Sequence, residues 1–251
     1  MILEGIRDRG RAIGWVLFFS GIMLAWWIMF TMAGMSGLNV FGEAVSANMM
    51  PMQGFHVLFP MWAIMMLAMM GPTLAPVLVS FEGLINSGHA NRTGWTGLIA
   101  GYALAWFGFA GAMALVQSGL FLLELIDLLG AATFRWLQAA ILFVVGGYQF
   151  TRAKEVCQGI CLSPTLYFLG RWRPGFRGGL RMGVGFGAYC VACCWGFMML
   201  GFIGGTMNLL WMGLATAVMI LEKLPEVATF VTRPLGIILM VFGLLLAGGI
   251  L

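Results

Sequence analysis

The feature that most constrains this chain is a succession of long apolar stretches separated by short polar segments. About 20 consecutive apolar residues are needed to cross the hydrocarbon core of a bilayer. We predict seven membrane-spanning helices, at residues 13–35, 57–81, 97–123, 135–150, 182–204, 208–221 and 234–251. Only 9% of the residues are charged and 61% are hydrophobic, which is too little charge to cover the surface of a soluble domain.

The predicted fold class is all-α, a polytopic transmembrane helix bundle of about seven spans. Residues 1–251 are predicted to form a single transmembrane helical domain, with no soluble domain. A six-span alternative merges the fifth and sixth stretches, or makes the last stretch re-entrant. The formal net charge of +4 is small, so no nucleic acid is expected as a partner.

The basic residues are distributed unevenly over the predicted loops. In the seven-span interpretation, 12 of the 13 Lys and Arg residues fall on one side of the membrane, and Arg135 falls on the other. Lys and Arg accumulate on the cytoplasmic side of membrane proteins. We therefore expect a multi-pass protein of the cytoplasmic (inner) membrane, with the N-terminus inside, the C-terminus outside and the lipid bilayer as its first partner.

The second predicted span is rich in methionine. Met61, Met65 and Met69 recur every four residues and share one helical face, while Met66 and Met70 form an adjacent stripe. Thioethers are soft, uncharged ligands that suit Cu(I). Methionine is also an adaptable packing residue, and packing is the interpretation that this stretch favours when taken alone.

The fifth predicted span carries three cysteines within five residues. Cys190 shares a helical face with Cys193 and with Cys194. These thiols either form a soft-metal site, completed by thioethers from another helix, or are buried as small apolar side chains. The second and fifth spans run in opposite directions, so their methionines and cysteines are expected to meet if the two helices are neighbours.

Two further cysteines follow the fourth predicted span as a C-x3-C pair. Cys157 and Cys161 share a face if this segment is helical, and Ser163 with Pro164 ends any such helix. The spacing suits a zinc-type ligand pair or a redox dithiol. The C-x3-C pair and the three cysteines of the fifth span approach the membrane from the same side, so they meet if the segment folds back. A total of five cysteines is a poor disulfide framework.

The polar residues elsewhere do not indicate an enzyme. No phosphate loop, catalytic triad or dinucleotide fingerprint is present in the sequence. Glu222, Lys223 and Glu226 follow the sixth predicted span and are interpreted as a solvated helix end with a local ion pair.

Taken together, the motifs resemble a bacterial family described as predicted metal-binding integral membrane proteins. The resemblance is carried by W-A-I-M-M-L-A-M-M-G-P at 62–72, G-Y-Q at 147–149, K-x2-C-x3-C-x-S-P at 154–164, Y-C-x2-C-C-W at 189–195, M-N-L-x-W-M at 207–212 and E-K at 222–223. It implies a helix bundle with a metal site. The family often has a His before the Tyr-Cys pair, whereas residues 183–187 contain none here.

The leading hypothesis is therefore a membrane protein that handles or inserts copper, because thiolate and thioether ligands select Cu(I). The candidate metal ligands are Cys157, Cys161, Cys190, Cys193, Cys194, Met65, Met66, Met69 and Met70. A second hypothesis is a non-catalytic accessory subunit that packs in a larger membrane complex, or a homo-oligomer. A third is a membrane thiol-redox protein that uses Cys157, Cys161 and the three cysteines at 190–194.

Overall fold

The computed structural model describes residues 2–43 and 54–250, with side chains from residue 10 onward. Within these ranges the chain is helical, with one isolated β-bridge between Ile126 and Ala132 and no strand. The helices of the described ranges are α1 (Ile2–Met35), α2 (Phe55–Asn86), α3 (Arg92–Leu122), α4 (Arg135–Tyr148), α5 (Arg152–Leu162), α6 (Pro164–Arg171), α7 (Gly175–Met199), α8 (Gly201–Gly204), α9 (Leu209–Leu221) and α10 (Ala228–Ala247).

Five of the described helical stretches are long and apolar enough to cross a membrane. They are Gly10–Met35, Phe55–Asn86, Arg92–Leu122, Gly175–Gly204 and Ala228–Ala247. Helices α4 and α9 have 14 and 13 residues, fewer than the about 20 that a perpendicular span needs. The all-helical class is confirmed, and the count of about seven spans stays a prediction.

The helices end at two opposite ends of the bundle. At one end, Glu82 near the end of α2 accepts from Arg11 of α1 at 3.0 Å and from Arg92 of α3 at 3.3 Å. The segment before α7 packs here too, with the Trp172 ring 5.7 Å from the Phe81 ring. We call this the arginine end.

At the other end, the loop after α1 meets the start of α9, where Asn208 Nδ2 donates to the Phe41 carbonyl at 2.9 Å. The loop after α3 meets α8, where the Ala132 amide donates to the Phe202 carbonyl at 2.7 Å. We call this the Asn208 end. Helix α7 therefore runs from the arginine end to the Asn208 end.

Helix α7 lies directly against α3 because glycines remove side chains from the interface. A Cβ atom at Gly101 would overlap the backbone of Leu180, and one at Gly183 would overlap the backbone of Leu98. Small residues allow this close approach between apolar helices. The contact fixes α7, and with it the cysteines that α7 carries, relative to α3.

Helix α2 continues through Pro72, which lacks the amide hydrogen that would bond the carbonyl of Ala68. Trp26 of α1 replaces the missing donor, because its indole Nε1 donates to the Ala68 carbonyl at 3.1 Å. The proline thus frees a carbonyl, as its position predicts, and a neighbouring helix satisfies it.

Helices α4, α5 and α6 run in sequence alongside α7, in the reverse direction. At the end of α4, the Tyr148 hydroxyl donates to the Ala192 carbonyl at 2.7 Å. In α6, nearer the arginine end, the Tyr167 hydroxyl donates to the Met182 carbonyl at 3.0 Å. The segment between the predicted spans 135–150 and 182–204 is thus mostly helical, and it folds back along α7.

Candidate metal site

Four cysteines lie close together near the middle of the stretch Gly175–Gly204. The Cys161 thiol, from α5, lies near the thiols of Cys190 and Cys193, and the Cys194 thiol lies near the same two. All four are buried free thiols. We call these four residues the cysteine cluster. The two cysteine motifs of the sequence therefore meet, because α5 folds back against α7.

The local structure of α5 explains how Cys161 reaches the cluster. Helix α5 ends at Leu162, and Pro164 begins α6, as the Ser-Pro sequence predicts. Cys157 lies one turn earlier, is also buried and is close enough to Cys193 to influence it electrostatically. Hydrogen bonds to Cys190 and Cys193, with burial adding to them, raise the pKa of Cys161.

Two lysines and a carboxylate lie next to the cysteine cluster. Lys154 Nζ donates to Glu222 Oε2 at 2.7 Å and to the Cys193 carbonyl at 3.0 Å. The side chains of this ion pair are 0% and 1% exposed. Lys223 Nζ donates to Cys190 Sγ at 2.8 Å. The interpretation of Glu222 and Lys223 as a solvated helix end is wrong, because α9 ends inside the bundle.

The buried ion pair is held by further hydrogen bonds. Burial lowers the pKa of Lys154, but the neighbouring Cys193 and Glu222 outweigh it and the pKa is raised, so the ammonium form is favoured. Gln158 Nε2 donates to the Glu222 carbonyl at 3.1 Å and to the Thr232 hydroxyl at 3.0 Å. These bonds join α5, the end of α9 and α10 beside the cysteine cluster.

Two of the α2 methionines meet methionines of other helices. Met65 and Met69 line a cavity of about 10 Å³ together with Met198 of α7 and Met212 of α9. All four side chains are buried. We call this space the methionine cavity. Its lining includes none of the cysteines.

The adjacent stripe, Met66 and Met70, lies toward α1 and α3, where both residues line a separate cavity. Tyr102 of α3 stands between this stripe and the cysteine cluster. Its hydroxyl lies 3.2 Å from Cys190 Sγ and 3.5 Å from the Met70 carbonyl oxygen. The α2 methionines are therefore divided between two surroundings, and a site that they share with the cysteines stays a prediction.

The arginine end carries an open cavity of about 620 Å³ lined by Arg171, Arg173 and Arg181. Arg171 is held by two aromatic residues, since it donates to the Tyr189 hydroxyl at 3.1 Å and lies 5.3 Å from the centre of the Tyr167 ring. The basic surface is thus connected to α7 a few residues before the cysteine cluster.

The sequence model of one protein family, described as PpoB2 copper chaperone, matches residues 59–246. This chain belongs to the PpoB2 copper chaperone family. The matched range contains the cysteine cluster, the methionine cavity and the Lys154–Glu222 pair. No curated protein and no solved structure matches the chain. The metal-related family expected from the motifs is confirmed, and copper is the metal with which the family is associated.

The sulfur donor atoms suit copper, the metal associated with the PpoB2 family, although they are not positioned to coordinate a metal ion. Within residues 2–43 and 54–250, no group of three or more His, Cys, Asp or Glu side chains is arranged to hold a metal ion. The chemistry of the clustered donors is nevertheless soft, since they are thiols and thioethers, and such donors favour Cu(I). The assignment of Cys and Met residues as ligands stays a prediction.

Several residues near the cluster were missed by reasoning from the sequence. Lys154 precedes Cys157 by one helical turn, and a charged residue in so apolar a chain is itself a signal. Met198 follows Cys194 by four residues, which also places the two on one helical face. Tyr102 carried no local signal, because its contact with Cys190 depends on how α3 packs against α7.

Proposed function

We propose that this chain is a multi-pass protein of the bacterial cytoplasmic membrane that binds Cu(I) at the cysteine cluster and passes it on to a recipient. It handles or inserts the metal and does not catalyse a reaction on a substrate. The observation that carries this proposal is the buried position of Cys161 of α5 beside Cys190 and Cys193 of α7, in a member of a copper chaperone family.

The surroundings of the cluster suit a charged metal complex. Thiols must lose their protons to bind a metal, and several thiolates around one Cu(I) ion leave an excess of negative charge. An isolated anion is costly to bury away from water. Lys154 and Lys223 bring two ammonium groups to the cysteines, and Glu222 balances one of them.

Helix length and charge support the proposed membrane orientation. Five described helical stretches have the length and composition of spans. The arginine end, which carries Arg11, Arg92 and the arginines of the open cavity, would face the cytoplasm. The described part of α1 begins at that end, whereas Gly249, after α10, lies beside Arg135 toward the Asn208 end. Reporter fusions at both termini test this: two termini on one side would contradict the orientation.

The copper proposal is tested by Cu(I) binding to the purified chain in detergent micelles, measured by competition with a Cu(I) chelator. The double variant Cys190→Ser/Cys193→Ser is expected to weaken the tightest binding by on the order of 100-fold, because two soft ligands become hard hydroxyls. Ala192→Ser places a hydroxyl on the same helix outside the cluster and is the matched control. It is expected to bind Cu(I) as the wild type does.

Equal and negligible copper in wild type and variants would overturn the proposal. If the chain then co-purified with fixed partners, the accessory-subunit hypothesis would replace it. If the free thiols were instead lost on oxidation and recovered on reduction, the thiol-redox hypothesis would replace it. The described cysteines are all free thiols, which makes thiol counting before and after reduction a direct comparison.

A further inference from the structure

The methionine cavity lies between α2, α7 and α9, about one helical turn beyond the cysteine cluster. Met198 follows Cys194 by four residues, so its Cα lies roughly 6 Å farther along α7 toward the Asn208 end. The cavity volume of about 10 Å³ is close to that of one water-sized sphere. Four methionines from three helices therefore line a space of about the size of a single atom or ion.

The polar side chains that border the cavity are already engaged in hydrogen bonds. Trp62 Nε1 donates to Gln117 Oε1 at 2.7 Å, and Trp211 Nε1 donates to a backbone carbonyl at 3.0 Å. The Thr206 hydroxyl donates to a backbone carbonyl at 3.2 Å. A buried water needs two to four polar partners, and the lining offers too few. Among the lining side chains, the thioether sulfurs remain as the main donors to a ligand.

The lining selects one class of ion. Thioethers are neutral, soft ligands that favour Cu(I) and bind Mg²⁺, Ca²⁺ or Mn²⁺ poorly. Trp62 and Trp211 also line the cavity, and aromatic faces attract cations. The lining contains no carboxylate, so the larger desolvation penalty of a divalent ion would go uncompensated. A monovalent soft cation suits these surroundings.

We propose that the methionine cavity is a second Cu(I) site, made of the thioethers of Met65, Met69, Met198 and Met212 and separate from the cysteine cluster. The identity of the ion rests on the proposed copper function, but no residue is shared with the cluster. Thioethers carry no proton, so Cu(I) binds and leaves this site without proton exchange. The site binds the ion more weakly than thiolates do, which suits a position next to the point of release.

The experiment uses the purified full chain in detergent micelles, with Ag(I) as a diamagnetic stand-in for Cu(I). Methionine methyl groups are labelled with ¹³C, and Ag(I) is added stepwise while their NMR signals are recorded. The test variant is Met198→Leu/Met212→Leu. Its matched control is Met29→Leu/Met113→Leu, which makes the same two replacements at buried methionines outside the cavity lining. Leucine and methionine have similar volumes, so both variants keep the core filled.

The expected result is two classes of Ag(I) binding in the wild type. Signals of Met65 and Met69 shift with the weaker class, whereas signals of Met66 and Met70 do not. Met198→Leu/Met212→Leu weakens the weaker class by about 30-fold and leaves the tighter class unchanged, since two of the four soft ligands are removed. The control keeps both classes. If the test variant keeps the weaker class unchanged, or if both variants lose it equally, the proposal is overturned.

The same titration separates this site from the proposed function. In Cys190→Ser/Cys193→Ser, the tighter class should weaken, as it does for Cu(I), while the methionine signals still shift. If the affinity of the tighter class is unchanged there, the cysteine assignment fails and the methionine site stands. If the methionine signals of the wild type do not respond to Ag(I), the methionine site fails whatever the cysteines do. This last measurement needs no variant and so does not depend on how well a variant folds.

Discussion

The cysteine cluster and the methionine cavity lie one helical turn apart on α7, yet their surroundings differ in charge. Lys154, Glu222 and Lys223 lie against the cysteines or their backbone. The lining of the methionine cavity consists of methionine and aromatic side chains, one glycine, one alanine and one threonine. Both regions are buried, so burial alone does not explain the difference.

The difference follows from the chemistry of sulfur ligands. A thiol that binds a metal becomes an anion, and an anion inside an apolar bundle needs a nearby cation. A thioether stays neutral whether or not it holds an ion. A chain with only 9% charged residues therefore places both of its lysines beside its cysteines and none beside its methionine cavity.

The largest expected effect comes from breaking the ion pair beside the cysteine cluster. Lys154→Met leaves Glu222 buried without its partner and is expected to lower the free energy of unfolding by about 3–5 kcal/mol. Unfolding of the detergent-solubilised protein by denaturant measures this loss. Lys154→Met/Glu222→Met removes both charges and should recover most of the stability.

The control for that change is Arg177→Gln, because Arg177 is exposed. It is expected to alter stability by no more than about 0.5 kcal/mol. Equal losses in Lys154→Met and in the double variant would mean that the lysine stem contributes packing and that the charge pair contributes little.

The next effect is a difference in pH dependence between the two regions. The raised pKa of Cys161 keeps this thiol protonated at neutral pH, so a metal ion must displace its proton. Lower pH favours the proton, and affinity at the cysteine cluster should fall about tenfold per pH unit for each proton displaced. Competition titrations from about pH 8 to 6 measure this. Affinity at the methionine cavity, measured in Cys190→Ser/Cys193→Ser, should not change with pH. An equal pH dependence of affinity at the two sites would contradict the comparison.

The smallest expected effect is on stability at the methionine cavity. Met65→Leu keeps the volume of a neutral core side chain and is expected to cost less than about 1.5 kcal/mol. The same denaturant unfolding compares it with Lys154→Met. A loss as large as that of the lysine variant would show that Met65 is held by more than packing in the metal-free protein.

Local features of both regions were predictable from the sequence. The C-x3-C pair lies on a helix, which the sequence left as one alternative, and this helix stops before Pro164, as the Ser-Pro sequence indicates. Met65 and Met69 share a face, and Pro72 frees the carbonyl that Trp26 then satisfies. Each of these depends on residues a few positions apart, for which helical periodicity is sufficient.

The long-range features of the candidate site were not predictable in this way. Lys154 and Glu222 are separated by 68 positions. The residues next to Glu222 in the sequence indicate only a solvated helix end. The sequence around Arg152–Leu162 indicates a segment outside the spans, whereas the structure shows a helix that packs beside α7. Hydropathy predicts spans at residues 135–150 and 208–221, but α4 and α9 have 14 and 13 residues, fewer than the about 20 that a perpendicular span needs.

The sequence by itself determined that the chain is helical, apolar and equipped with soft donor atoms on particular helical faces, because these properties depend on composition and on a period of 3.6 residues. Only the tertiary structure decided which donors meet. The glycines of α3 and α7 set how closely those helices pack, α5 folds back to bring Cys161 to the cluster, and α9 ends inside the bundle. These contacts join distant parts of the chain, and no local pattern specifies which helix faces will be neighbours.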